Sequence, residues 1–470
     1  MMTTQRSPID PGPVDVIVVG AGYAGLTCAR ALVDAGRSVV VLEARDRVGG
    51  RVFTETLPSG VPVDQGGQWV GPGQEHFASL IDETGCTTFP TWVAGEALEL
   101  RDGLLHRYEG LVPTSDKDGS ADTVATLLEL DLLAQEVSPV EPWSHPDADR
   151  LDRQTFAQWI DATVETPIAR ALVTTACQAV FGAEPEELSM LFVLSYAHSG
   201  GSMSSLIRTS GGAQERRIHQ GAQAPALALA GMLGRRVVLS SPVVEIDHGR
   251  SGATVSVAGA HPRQFHAGRV VVAAPPSVTG RIGFSPALPG DRMQLIQRTP
   301  MGSVTKIHAV YERPFWREMG LNGQLVADRG ALRSVFDDSP DDAGVGILVG
   351  FVAGSEDRRM EGLGVEGRRS HLLGELASAF GPDAAHPLEF VEQRWSSEAF
   401  SGGGPVAGMG PGVLTAVGPA LRRPVGVVHW AGTETAEAWS GYIDGAISSG
   451  IRAADEVLAA LVAPAGTGGS

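Results

Sequence analysis

Val14-Asp15-Val16-Ile17-Val18-Val19 runs directly into Gly20-Ala21-Gly22-Tyr23-Ala24-Gly25, and this junction decides the fold. The first six residues are the apolar, β-branched run of a buried parallel strand. The next six are a G-x-G-x-x-G, and Leu26 to Ala35 has the content of a helix. That helix stops at Gly36, the residue type expected just past a helix end. Ser38 to Leu42 reads as a second buried strand that delivers Glu43 at its tip. In such a unit Gly20 permits the tight turn and Gly22 lets backbone approach a pyrophosphate. Gly25 lets the helix pack closely on the strand, and the helix N-terminus faces the phosphate charge. Glu43 follows at about 20 residues, where a carboxylate can bond both ribose hydroxyls and would repel a 2′-phosphate. The ligand implied is FAD or NAD.

A second copy of the pattern, Gly362-Leu363-Gly364-Val365-Glu366-Gly367, follows the charged run Glu356 to Glu361. No strand precedes it and no acid stands at the right distance, so it reads as a loop. The 470 residues suit two domains, interleaved or consecutive. A net charge of −18 argues against a nucleic-acid partner and weakly favours approach of cationic small molecules. No apolar run approaches the roughly 20 residues that span a bilayer, and Met1 to Pro13 lacks a signal-peptide core. Cys28, Cys86 and Cys177 are too widely spaced for a metal site or a disulfide framework. No metal centre is therefore expected, and a reducing, cytoplasmic location is the simplest reading.

The alternation of elements suggests an α/β fold. Thr123 to Glu136 and Phe156 to Ala179 have helical apolar spacing, and strands return at 237–246, 253–257 and 269–276. Further strands are expected at Val304 to Tyr311, Gly346 to Ala353 and Val425 to Trp430, with helices at Arg369 to Phe380 and Tyr442 to Leu461. A Rossmann-like domain assembled from discontinuous segments 1–90, 212–298 and 395–463 would explain this order. Segments 91–211 and 299–394 would form a mixed α+β substrate-binding domain, and 464–470 a disordered tail.

The tail of the first motif is more specific than its glycines. Glu43-Ala44-Arg45-Asp46-Arg47-Val48-Gly49-Gly50-Arg51 resembles the signature of the flavin monoamine oxidase family. Collinear blocks continue through Val63 to Pro72, Gly211 to Arg216, Met301 to Lys306, Pro314 to Arg317, Ala431 to Thr435 and Trp439 to Tyr442. The resemblance implies FAD, with Gly20, Gly22 and Gly25 at the pyrophosphate and Glu43 at the adenosine ribose. Ala44 and Gly50 belong to the same cofactor-binding stretch, while Arg45 and Arg51 would bond phosphates and nearby backbone. Gly66, Gly67 and Gln68 would pass close to the flavin ring, and Val243 would read the adenine edge. Gly432, Thr433 and Glu434 would close the phosphate end. The helix near Tyr442, with the Ile443 amide, would aim its N-terminus at the flavin pyrimidine.

Lys306 is the foremost catalytic candidate. Only Lys117 and Lys306 are lysines, and Lys306 sits in an otherwise largely apolar strand, where an ammonium is costly unless paired or neutral. By resemblance it would hold a water against the flavin and assist reaction with oxygen. A snorkelling lysine is the alternative. Trp395 matches the family's flavin-contacting tryptophan, with a plain core role as the alternative. Tyr442 matches one of two aromatic walls that flank the substrate amine. The other wall is missing, since Gly404-Pro405 stands where mammalian members have cysteine and tyrosine. FAD should therefore be held without a covalent bond. His198 and Trp69 match positions that face substrate or the route to the flavin, with structural roles as alternatives. The activity implied is oxidation of a primary or secondary amine to an imine, with oxygen reduced to hydrogen peroxide and a homodimer as the family default. An amino-acid oxidase would need an arginine for the carboxylate, such as Arg208 or Arg333, and a polyamine oxidase would want acids at its entrance. A non-catalytic, amine-sensing flavoprotein is the remaining alternative.

Overall fold

The computed structural model describes residues 12–259, 262–341 and 344–462. The Val14–Val19 strand lies between two parallel neighbours, Val39–Leu42 and the C-terminal half of Arg263–Val272. Val428–Trp430 pairs parallel with Val270–Val272 on its other side. Side chains alternate across this sheet, and both faces are covered. Val16 and Val18 pack with Leu26, Leu32, Ile447 and Val457, while Ile17 and Val19 pack with Ile246, Val255 and Trp430. Double-sided burial is why the strand reads as one apolar run rather than an alternation.

Two long-separated helices share one face of the sheet. Tyr23–Asp34 and Ile443–Val462 approach so closely that a Cβ at Gly450 would lie 2.3 Å from the Ala24 carbonyl oxygen. The third glycine of the first motif meets the same kind of constraint. A Cβ at Gly25 would sit 1.9 Å from the Gly20 carbonyl oxygen. Gly20 itself has φ of +103°, in the region that favours glycine.

A second, seven-stranded sheet has Val304–Tyr311 next to its edge strand Glu389–Arg394, followed by Gly346–Ala353, Ser334–Asp337, Leu321–Ala327, Glu96–Arg101 and Leu104–Tyr108. A helical layer of Lys117–Glu136, Pro167–Phe181 and Met190–Ser199 adjoins it. Phe156 to Ala179, expected as one helix, is two. Phe156–Thr163 ends before Thr166, whose hydroxyl accepts from the Ala169 amide while Pro167 starts the next helix. The Gly362 copy is not wholly a loop. Ser355–Met360 is helical before it, and Gly364 caps Val365–Phe380, so its last three residues are the first turn of that helix. No strand enters it, and a nucleotide turn needs one. The strand expected at 269–276 runs from Arg263 to Val272 and ends before the two prolines. Residues 464–470, read as a tail, lie outside the described residues.

Because the Gly20 carbonyl is backbone and has nowhere to go, Gly25→Ala should push the first helix off its strand. The expected cost is about 1–3 kcal/mol by urea unfolding, with a lower FAD content in the purified protein.

Candidate active site

The first helix opens without a side-chain cap, and its first internal bond runs from the Leu26 amide to the Gly22 carbonyl at 3.0 Å. The amides before Leu26 form its electropositive end. Beside them, Glu43 is buried, with one carboxylate oxygen accepting from the Ala21 amide at 2.7 Å and the other from the Arg45 amide at 2.9 Å. Ala44 is half-buried between them. The Ser241 amide donates to the Glu43 carbonyl at 2.7 Å, which brings the start of the Val243–His248 strand to this tip.

Arg51 runs along the border of a cavity of about 820 Å³. Its guanidinium grips Glu434 with both nitrogens at 2.6 and 2.9 Å and donates to the Pro405 carbonyl at 2.7 Å. Gly66, Gly67, Gln68, Trp69, Lys306, Trp395, Tyr442 and Ile443 line the same cavity. Trp395 is buried and its indole N–H donates to the Gln65 carbonyl at 2.8 Å. Tyr442 packs edge-on against Trp439 with ring centres 5.2 Å apart, and burial pushes its hydroxyl well above the usual range. The Thr433 hydroxyl donates to the Tyr442 carbonyl at 2.9 Å, and Gly432 stands before it with φ of +122°. The cavity faces of the Pro167–Phe181 helix and the second sheet are largely apolar, contributing Leu172, Val173, Ala176, Leu325, Val335 and Phe336, with Thr175, Asn322, Gln324 and Ser334 as uncharged polar groups among them.

Lys306 is 2% exposed in the middle of a strand whose eight residues are all buried. Its ammonium donates to the Asp64 carbonyl at 2.5 Å, to the Gly66 carbonyl at 2.9 Å and to Gln68 Oε1. The rings of Trp69 and Phe351 lie 5.7 and 5.6 Å from Nζ. Burial lowers its pKa to about 8, against Asp338 and Asp64, which hold it up. A buried lysine with a lowered pKa at a cavity wall is a candidate functional group.

Residues 23–458 match the family model for flavin containing amine oxidoreductases. The chain belongs to that family. The AofH protein of Mycobacterium tuberculosis, a flavin-containing monoamine oxidase by name, is 40% identical over 98% of this chain and 100% of its own length. An L-amino acid dehydrogenase of Synechocystis is 37% identical over 95% of each chain. The solved cyclohexylamine oxidase of Brevibacterium oxydans is 36% identical, with a TM-score of 0.91 over 96% of this chain and 99% of that one.

A flavin amine oxidase must hold FAD, and the residues present fit it. The uncapped helix end, the anchored Glu43 and the cavity bordered by Gly66 and Trp395 could take phosphate, ribose and ring in turn. Two residues expected at the cofactor also meet constraints from within the protein. Arg45 is tied to Glu398 at 3.3 Å and Ser401 at 2.8 Å, so it links the first motif to the 398–401 loop. A Cβ at Gly66 would strike the Arg51 carbonyl oxygen at 2.0 Å and Trp395 at 3.0 Å, so packing within the protein already demands glycine there. At Gly67 a Cβ meets only ordinary contacts with Val52 and Ile443, 3.5 Å and beyond. Gly404 lines the cavity with no thiol, and none of the three cysteines does.

His198 does not reach the cavity. Its Nδ1 bonds the Val137 carbonyl at 2.7 Å, because two helical residues turn it to the opposite side from Tyr196. Tyr196 lines the cavity instead, so close to Gly441 that a Cβ there would lie 2.1 Å from its hydroxyl. Sequence reading missed it because Met190 to Ala197 is apolar and buried on every side, leaving no face marked. Asp338, Arg217 and His308, gathered behind Lys306, were also missed. The only local signal was a histidine two residues along the strand from Lys306.

The Lys306 pKa lies below the ordinary value of about 10.4, so the cost of burying its charge is present below pH 8 and relieved as pH rises past that value. Wild-type stability should therefore rise relative to Lys306→Met between about pH 8 and 10.4, by up to about 3 kcal/mol. Paired denaturant titrations at pH 7 and 10 measure the difference.

Proposed function

We propose that this flavoprotein oxidises apolar monoamines, with oxygen as the electron acceptor and hydrogen peroxide as the reduced product. The observation that carries the reading is the charge inventory of the cavity. Of its four charged lining residues, Arg51 is held by Glu434 and Lys306 by carbonyls, while Glu109 and Arg208 are exposed. Among the described residues, the interior therefore offers no free acid for the distal ammonium of a diamine and no free guanidinium for a carboxylate; the single lining acid and arginine at the entrance, Glu109 and Arg208, stand in water, where a charge pair is worth little. Arg333 is unavailable as well, since it bonds Gln178 at 3.2 Å and pairs with Glu356 at 3.6 Å. An apolar amine of the cyclohexylamine type suits such walls.

When bound, FAD supplies the two-electron acceptor for the amine's α-carbon. The chain's own residues do the rest. Tyr442 and Tyr196 give the amine aromatic surfaces. The apolar walls favour the neutral amine and exclude water. Lys306, its three donors taken by carbonyls, supplies a positive charge at the flavin side of the cavity for the oxygen step. Trp395, held by Gln65, braces that side, and Trp69 covers Lys306. FAD is held without a covalent bond, since no cysteine lines the cavity. In this reading segments 1–90, 212–298 and 395–463 hold FAD and segments 91–211 and 299–394 shape the amine site. Three free cysteines are in keeping with a cytoplasmic setting, and the family habit with a homodimer.

Anaerobic mixing with a panel of amines tests the substrate class. Cyclohexylamine and aralkylamines should bleach the flavin, with putrescine and L-leucine poorer by about 100-fold in kcat/KM, as expected for an unpartnered buried charge. Equal or faster bleaching by L-leucine would sink the reading. Acid precipitation should leave the yellow FAD in the supernatant rather than on the protein.

A further inference from the structure

Gln68 is a two-sided connector. Its carbonyl oxygen accepts from Lys306, and its amide nitrogen donates to Asp338 Oδ1 at 2.6 Å. An ammonium can only donate and an ionised carboxylate can only accept, so this amide has one workable orientation. Asp338 is fully buried, with 0% exposure, at the far end of the connection. Burial pushes its carboxyl up, but Arg217, His308 and Lys306 outweigh that and bring it down to about 2. Arg217 holds it from the Arg216–Ile218 strand, with Nε 3.1 Å from Oδ1 and a terminal nitrogen donating to the Asp338 carbonyl. His308 Nε2 stops 3.5 Å from Oδ2, and burial keeps that ring neutral, with a pKa of about 4. Asp64 faces Lys306 from the third side, its carboxylate engaged by the Thr54 hydroxyl and the Ala222 amide. Among the described residues, Asp338 is thus the one buried carboxylate joined to Lys306 through a side chain.

We propose that Asp338 is a positioning residue for Lys306: by fixing the Gln68 amide it presents a carbonyl, never an NH₂, to the lysine and so keeps a positive charge at the flavin side of the cavity. Without the carboxylate the amide loses the acceptor that fixes and polarises it, and Lys306 loses the buried negative charge behind Gln68, so the proton on Nζ would be held less tightly. The benefit to oxygen reduction rests on the role proposed above for Lys306, but the coupling itself does not.

The composition makes the coupling directly observable, because Lys117 and Lys306 are the only two lysines and Lys117 is exposed. Holoenzyme labelled with ¹³C-lysine should show two Cε signals, assigned by Lys306→Met. The Lys306 signal should titrate near pH 8 in the wild type. In Asp338→Asn its midpoint should fall by about one pH unit. In the double variant Gln68→Glu, Asp338→Asn the acid and amide exchange places. The carboxylate then at position 68 accepts from both neighbours, and the midpoint should return to or above the wild-type value. Gln68→Met leaves the Asp338–Arg217 pair intact and serves if Asp338→Asn does not fold; its midpoint should fall too. An unmoved midpoint in either single variant, or a double variant no higher than Asp338→Asn, overturns the proposal. Oxygen reactivity measured on the same samples by stopped flow is a separate reading. A midpoint that shifts without any change in oxygen reactivity would leave the coupling standing and remove Lys306 from the oxygen step.

Discussion

The guanidinium of Arg51 and the carboxylate of Glu434 stand 383 residues apart in sequence and in two-pronged contact in space. The carboxylate side chain is 3% exposed, so without Arg51 it would be a charge stranded away from water. Such a pair adds little to stability when complete, and it heavily penalises any arrangement in which the two segments part. The third bond of Arg51, to the Pro405 carbonyl, brings the loop at Gly404-Pro405 into the same clamp. The turn after the first glycine motif, the turn before the last helix and the loop behind Trp395 are therefore one object. The close approach of Gly450 to Ala24 packs the first and last helices against each other in the same way.

On that frame the cavity acquires its chemistry from what is withheld. Arg51 is neutralised, the helical wall is uncharged and largely apolar, and charges that could hold a second ammonium or a carboxylate stand at the exposed rim. The exception is Lys306, placed in the centre of a buried strand at considerable desolvation cost. Two backbone carbonyls and Gln68 accept all three of its donor directions, so the ammonium is held in place by geometry. Asp338 and Arg217, behind it, form a pair of opposite charges that the strand could not supply on its own.

Much of this was legible in the chain. Glycines at 20, 22 and 25 with Glu43 are a local code, because the turn, the helix start and the carboxylate are set by residues about 20 apart. The blocks around Arg51, Gly66, Lys306, Trp395 and Tyr442 were legible for a similar reason, each carrying its own short context, and the cavity gathers them. Helix breaks were less visible: the interruption at Thr166-Pro167 is a capping event inside a continuous apolar pattern. The contacts of Arg45 with Glu398 and Ser401 were not legible either, because a guanidinium suits phosphate, carboxylate or hydroxyl alike and these partners lie about 350 residues away.

His198 and Tyr196 mark the boundary most clearly. They are two residues apart on one helix that is buried all round, so periodicity cannot say which of them faces the cavity. The tertiary structure decides, by supplying Val137 as a partner for one and Gly441 as a neighbour for the other. Asp338 likewise had no local signature, since its importance lies in a side chain 270 residues away. The sequence alone determined the nucleotide turn, the family and the presence of a lysine out of place in its strand. Which charges are silenced and which remain free was decided only by folding, because a charge's effect depends on its nearest partner, and these partners come from distant segments.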